Sequence, residues 1–282
     1  MSRISTFVTD YYDYVTYKLA DQRVKDWPLL GSPVPLLLIV GTYLYVIRVA
    51  GPWFMRNRKP YALKNVIVAY NVFQVLANAY IAFGMLTSGW IGNPNVTCFP
   101  PDYSHNPTAM RMAKMVWYMM VLKVLDFLET GFFILRKKEN QASFLHVYHH
   151  VSTVMLAYLT AKYIPAARGR VSAGGGVTFQ LILNCSVHVV MYSYYLLSLV
   201  GPDVPLLRSF VRSGYMTTFK KSLTTIQMVQ FVIMILYCLY LIFNFSCPTP
   251  TIIHHLLLLD VIYIFYLFYD FYKATYLSKK AS

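Results

Sequence analysis

The sequence is short of charged residues, and of acidic residues in particular. Only 13% of its 282 residues are charged, and 25 Lys and Arg stand against 11 Asp and Glu. A soluble domain of this size usually carries roughly a quarter charged residues. Hydrophobic residues make up 57% of the chain, which is more apolar surface than a fold in water can bury. The composition therefore excludes a soluble globular protein and indicates a membrane protein.

Two further patterns are missing. The alternation of a transmembrane β-barrel is absent, and residues 1–30 lack the apolar core and small-residue end of a signal peptide. We predict a single all-α domain over 1–282, with residues 1–30 as an interfacial helix or an unstructured end and 273–282 as a cytosolic tail. A transmembrane helix needs about 20 apolar residues, and seven stretches approach that length: 33–51, 65–88, 115–135, 145–163, 174–199, 226–245 and 252–272.

Basic residues indicate the orientation, because Lys and Arg accumulate in cytosolic loops. They are more numerous on the side of the C-terminus, which predicts a cytosolic C-terminus and a luminal N-terminus. Asn95 begins an Asn-Val-Thr glycosylation sequon in a predicted luminal loop. Lys279 and Lys280 resemble a dilysine retrieval signal of endoplasmic reticulum membrane proteins, or form a basic tail by chance. We therefore expect a multi-pass protein of the endoplasmic reticulum membrane.

The chain has only four cysteines. Cys185 and Cys238 lie within predicted spans, where a thiol usually serves packing. Cys98 and Cys247 fall in predicted luminal loops, and the lumen is oxidising. These two either form a disulfide that joins the loop after span two to the loop before span seven, or remain free thiols.

Ionisable residues are costly inside a membrane, so those within the predicted spans are candidates for function. In span three, Lys123, Asp126 and Thr130 share one helix face, and Glu129 lies beside them. A Lys123–Asp126 pair would avoid an isolated buried charge. It either organises a site or serves helix packing alone.

Histidines are concentrated in span four, where His149 and His150 both lie within one helical turn of His146. In span five, Gln180, Asn184, His188 and Tyr192 recur every four residues as a polar stripe, in which Asn184 is placed to orient His188. The stripe lines a site or joins helices through hydrogen bonds. The same two alternatives apply to a set in span six, consisting of Thr224, Gln227 and Gln230.

These histidines predict one of two chemistries. A neutral, buried imidazole can attack a thioester and carry the acyl group, with a second imidazole moving protons. Alternatively, the three span-four histidines and His188 could hold a single metal ion for a lipid oxidase or desaturase. The chain has seven histidines and one H-x-x-H-H box, which is too few for the di-iron desaturases. A non-enzymatic lipid transporter is a further alternative, although no half-to-half repeat is evident.

Four motifs in order resemble the very-long-chain fatty acid elongase family. They correspond to K-x-x-E/D-x-x-D-T with a following L-R-K-K, H-x-x-H-H, H-x-x-M-Y-x-Y-Y, and T-x-x-Q-x-x-Q after paired lysines. Glu129 departs from this pattern, since it stands where Asp is usual. The matching segments are 123–130, 135–138, 146–150, 188–195 and 220–230, so the resemblance extends over nearly the whole chain.

The resemblance implies a seven-helix bundle around an acyl-chain tunnel. It also implies an acyltransferase, a very-long-chain 3-oxoacyl-CoA synthase, that joins a long-chain acyl-CoA to malonyl-CoA. His149 would be the nucleophile, while the other catalytic residues would orient it, move protons or stabilise the enolate; these are His146, His150, His188, Lys123, Asp126 and Asn184. Substrate binding would involve two further sets: Thr224, Gln227, Gln230, Tyr192 and Tyr195 near the reacting groups, and Arg136, Lys137, Lys138, Lys220 and Lys221 at the CoA phosphates.

We expect no cofactor, no metal and no nucleic-acid partner. Membrane lipids, the reductases and dehydratase of the elongation cycle, and a second copy of the chain in a homodimer are the expected partners.

Overall fold

The computed structural model describes residues 3–92, 102, 104–163, 174–212, 215–243 and 251–277. Several predictions fall outside this part of the chain. They are the Cys98–Cys247 disulfide, the Asn95 sequon and the Lys279–Lys280 retrieval signal.

The described residues form helices and connecting segments, with no strand among them, which confirms the all-α prediction. Short π-helical turns extend several helices, as at Val46–Ala50 and Leu86–Trp90. The α-helices are α1 Arg3–Asp13, α2 Val34–Tyr45, α3 Gly51–Met55, α4 Lys64–Met85, α5 Pro107–Leu125, α6 Phe127–Leu135, α7 Phe144–Tyr163, α8 Gly174–Val200, α9 Pro205–Arg212, α10 Tyr215–Phe243 and α11 Thr251–Tyr272.

Five helical segments are long and apolar enough to cross a membrane, so a multi-pass membrane protein is confirmed. These segments are Val34–Met55, Lys64–Trp90, Gly176–Val200, Tyr215–Phe243 and Ile253–Leu277. The stretches predicted as spans three and four are also helical, as α5–α6 and α7, but they carry the ionisable and histidine side chains and are not among the five. The count of seven spans therefore stays a prediction.

The helices pack in an order that surrounds the polar side chains. Helix α4 packs along α8 and α5, α5 contacts α7, and α8 contacts α10, which in turn packs on α11. Met120, Val154 and Cys185 are fully buried where α5, α7 and α8 meet. Outward-facing apolar residues such as Leu38 and Leu236 remain exposed, as expected for helices whose solvent is lipid.

At one end of the bundle, the predicted cytosolic segments contact one another. The backbone N–H of Tyr61 donates to the carbonyl of Leu135 at 3.0 Å, and Lys64 forms an ion pair with Asp203. Lys221 lies over the ring of Tyr272. The exposed basic residues of the predicted CoA-binding set therefore lie at the same end.

Residues 19–33 cover the opposite end of the bundle. Val24 and Leu30 are each 1% exposed. The buried Lys162 of α7 donates to the carbonyl of Leu30 at 2.8 Å, and Trp117 of α5 donates to that of Pro28 at 2.9 Å. The preceding helix α1 and its π-turn leave aromatic side chains such as Phe7 and Tyr11 exposed, and an interfacial role for them stays a prediction.

Candidate active site

The predicted pair of Lys123 and Asp126 lies at the centre of the site. Lys123 Nζ is 2.9 Å from Asp126 Oδ2, and both residues are almost completely buried. The same ammonium donates to His188 Nδ1 of α8 at 3.4 Å. Lys123 is therefore the partner of His188 Nδ1, whereas the sequence predicted that Asn184 orients His188. A buried ammonium needs such acceptors, and they join α5 to α8.

Helix α4 supplies a set of residues that the sequence analysis missed. Gln74, with no exposed surface, donates through Nε2 to Asp126 Oδ1 and to the Tyr70 hydroxyl, both at 2.7 Å. Asn78 donates in turn to Gln74 Oε1 at 3.1 Å. Tyr70, Gln74 and Asn78 recur every four residues, which is the same signal that identified the stripe on α8.

Glu129 lies at the junction of α4, α7 and α8. Its carboxylate accepts hydrogen bonds from the hydroxyl of Tyr192 and, at 3.3 Å, from that of Tyr70. Its second oxygen is 3.6 Å from His150 Nε2. Tyr192, predicted to bind substrate, is only 1% exposed and holds Glu129 instead of facing open space.

The three histidines of α7 are divided between two environments. His146 Nε2 is 2.9 Å from Thr130 Oγ1, whose hydroxyl also bonds Tyr43. The rings of His146 and His150 are close, with centroids 4.2 Å apart, and both face α6. His149, by contrast, lines an internal cavity together with Lys123. The helical period of 3.6 residues explains this, because the neighbours His149 and His150 point about 100° apart and His146 is closer in direction to His150.

The cavity that His149 lines has room for the centres of water-sized molecules over about 70 Å³. Its polar lining includes Lys123, His149 and Asp260 of α11. Asp260, which the sequence analysis did not select, accepts a hydrogen bond from Tyr148 at 2.9 Å. Most of the wall is apolar and comes from five helices, represented by Met119, Leu156, Leu181, Phe231, Met234 and Leu257.

The remaining predicted residues are not all brought to the cavity. Asn184 and Gln230 line it. Gln227 donates instead to Met191 Sδ at 3.5 Å, and Thr224 donates to the carbonyl of Lys220 at 3.2 Å. Six further predicted residues do not line the cavity. Arg136 is half-buried, and the exposed ones are Tyr195, Lys137, Lys138, Lys220 and Lys221.

One group of side chains has the donor types of a metal site. The ligand atoms of Glu129, His146 and His150 lie within 4.8 Å of one another. Two imidazoles and a carboxylate suit Zn²⁺ or Fe²⁺. This set differs from the predicted one, since His149 and His188 lie elsewhere and a carboxylate takes part.

Fold and site together define a polytopic α-helical membrane protein with a buried histidine and carboxylate centre beside an apolar cavity. The model of the GNS1/SUR4 (ELO) family matches residues 28–282. A very long chain fatty acid elongase of Aedes aegypti is 36% identical over 99% of this chain and 73% of its own length. Elongase 7 of Drosophila melanogaster is 34% identical, covering 99% and 79%, and elongase 1 of Mus musculus 39%, covering 84% and 80%. The chain belongs to the GNS1/SUR4 family of very long chain fatty acid elongases.

We predict that Gln74→Leu lowers elongation turnover by at least about tenfold, because Asp126 and Tyr70 lose their shared donor and the buried carboxylate is left short of a hydrogen bond. Turnover is measured with saturating substrates in detergent, alongside the apparent unfolding temperature. Asn65→Leu, at the exposed start of α4, serves as control and should retain wild-type turnover. Wild-type turnover in Gln74→Leu would contradict a role for α4 in the site.

Proposed function

We propose that this protein catalyses the condensing step of fatty acid elongation. A long-chain acyl-CoA and malonyl-CoA, with one proton, give 3-oxoacyl-CoA, CO₂ and free CoA. The relatives named above are very long chain fatty acid elongases, which supports this reaction class. The observation that carries the proposal is the position of His149, with Lys123 and Asn184, in the wall of a cavity that is mostly apolar.

The cavity suits an acyl chain. Phe231, Met234 and Val261 are buried residues of its wall, and each methylene removed from water stabilises the complex by about 0.8 kcal/mol. We place the acyl chain here, within a bundle of seven spans in which α5–α6 and α7 are the third and fourth. The thioester then lies beside His149, and CoA extends toward the basic end.

In the first half-reaction, an unprotonated ring nitrogen of His149 attacks the thioester carbonyl. A C–N bond forms, the C–S bond breaks, and the CoA thiolate leaves with the proton that the imidazole gives up. His188 is the histidine of α8, and it is hydrogen-bonded to Lys123. It acts as the proton carrier. His146 and His150 contact Thr130 and Glu129, so they act on His149 by fixing α7 and not by touching the acyl group.

In the second half-reaction, malonyl-CoA loses CO₂ and its enolate carbon attacks the acyl carbon. A C–C bond forms, the C–N bond breaks, and the departing imidazole of His149 takes up the one proton that the overall reaction consumes. The developing enolate oxygen needs a nearby donor. Asn184 lines the cavity beside His149 and is the residue best placed for this role. Gln227, which contacts Met191, is not.

The exposed lysines Lys137, Lys138, Lys220 and Lys221 and the half-buried Arg136 would attract the CoA phosphates. With these residues in the cytosol, the C-terminus is cytosolic and the N-terminus luminal in the endoplasmic reticulum membrane. The reductases and dehydratase of the cycle and a second copy of the chain are the protein partners that we propose.

We predict an acyl adduct on His149 after incubation with acyl-CoA alone. Peptide mass spectrometry of the wild type should show the acyl mass on the peptide containing His149, and His149→Ala should abolish it and lower malonyl incorporation by about a hundredfold or more. His255→Ala, at an exposed position, serves as control and should keep both. An active wild-type enzyme without adduct would contradict the covalent step and favour direct condensation.

The metal hypothesis makes a different prediction. If Glu129, His146 and His150 hold a functional ion, purified active enzyme contains a transition metal in a 1:1 ratio, and Glu129→Gln loses it. We expect less than one-tenth of that amount in active wild-type enzyme, measured by elemental analysis. A stoichiometric metal that activity follows would contradict the metal-free mechanism.

A further inference from the structure

Two amide oxygens on α8 have no hydrogen-bond donor among the described residues. They are Oε1 of Gln180 and Oδ1 of Asn184, and both atoms are buried. Gln180 is only 2% exposed, and its Nε2 is already used as a donor to Cys238 Sγ at 2.9 Å. A buried acceptor without a hydrogen bond destabilises an apolar bundle. A ligand that donates to either oxygen would therefore bind more tightly than one that does not.

Both side chains line the cavity, and they follow each other by one helical turn. Gln180 is eight residues from His188 along α8, which corresponds to about 12 Å at 1.5 Å per residue. Gln180 Oε1 therefore lies beside the part of the cavity that an acyl chain enters beyond its thioester, and Asn184 lies between Gln180 and His188 along α8. A plain methylene chain in this position displaces water and offers no donor in exchange.

We propose that Gln180 and Asn184 form a hydrogen-bonding subsite for a hydroxyl group on the acyl chain, so that hydroxylated acyl-CoAs are a substrate class of this enzyme. This inference rests on the proposed condensing activity. It adds a polar specificity element within the chain-binding part of the cavity.

A hydroxyl fits these amides better than other oxygen-bearing groups. It donates to an amide oxygen and accepts from an amide nitrogen, so it suits either orientation of the side-chain amide. A keto group only accepts, and leaves the two oxygens unpaired. A carboxylate offers no donor, and its charge would be uncompensated in the cavity, where Lys123 is already paired with Asp126.

The test compares CoA thioesters of one chain length. One is unsubstituted, a series carries a single hydroxyl at successive carbons, and a matching series carries a keto group at the same carbons. For wild-type enzyme we expect kcat/KM to rise about three- to tenfold for one or two neighbouring hydroxyl positions, with no rise for the keto series. No gain at any hydroxyl position, or an equal gain with keto groups, would overturn the inference.

The residue assignment is tested by Gln180→Met, which keeps the length of the side chain and removes the amide. The measured quantity is the ratio of hydroxylated to unsubstituted kcat/KM within each variant, so a general loss of activity cancels. We expect this ratio to fall to about one, whereas the control Gln141→Met, at an exposed position, should keep the wild-type ratio. An unchanged ratio in Gln180→Met would overturn the assignment.

The outcomes separate the two proposals. Elongation of the unsubstituted chain without any hydroxyl preference contradicts the subsite alone. A wild-type enzyme that elongates none of the thioesters contradicts the condensing activity itself, and the subsite with it.

Discussion

The structure depends on keeping an ammonium and its carboxylate partner inside an apolar helical bundle. Lys123 and Asp126 can remain there only because they pair with each other and have further hydrogen-bond partners, since an unpaired charge in this environment is costly. Their partners come from neighbouring helices, with Gln74 on α4 and His188 on α8. The network thus fixes the relative positions of the helices that carry the reactive groups, and links folding to function.

The helical period of α7 then separates two tasks. His146 and His150 lie against Thr130 and Glu129 and belong to the network, whereas His149 lies on the cavity side. A nucleophile needs access to substrate, and positioning residues need fixed partners. The H-x-x-H-H spacing provides a nucleophile and two positioning residues on one helix. This is a physical reason for three histidines although only one ring attacks the substrate.

Spacing along single helices predicted the Lys123–Asp126 pair and the placement of both Gln180 and Asn184 at a common wall, because side chains three or four apart share a face. It did not predict partners on other helices. Gln74 was overlooked although Tyr70, Gln74 and Asn78 recur every four residues. Among the residues three or four positions from Asp260 on α11, only Tyr263 carries a polar group. The contact between Glu129 and Tyr192 joins residues 63 apart in sequence, so only the packing of α6 against α8 reveals it.

The central claim is that the acyl group is carried by His149 with its chain in the adjoining cavity. A cryo-electron microscopy structure of enzyme incubated with acyl-CoA, without malonyl-CoA, tests it most directly. We expect continuous density from the His149 ring into the cavity between α7, α8, α10 and α11, and no CoA attached to it. Acyl density outside this cavity, or a His149 ring turned toward lipid, would contradict the account.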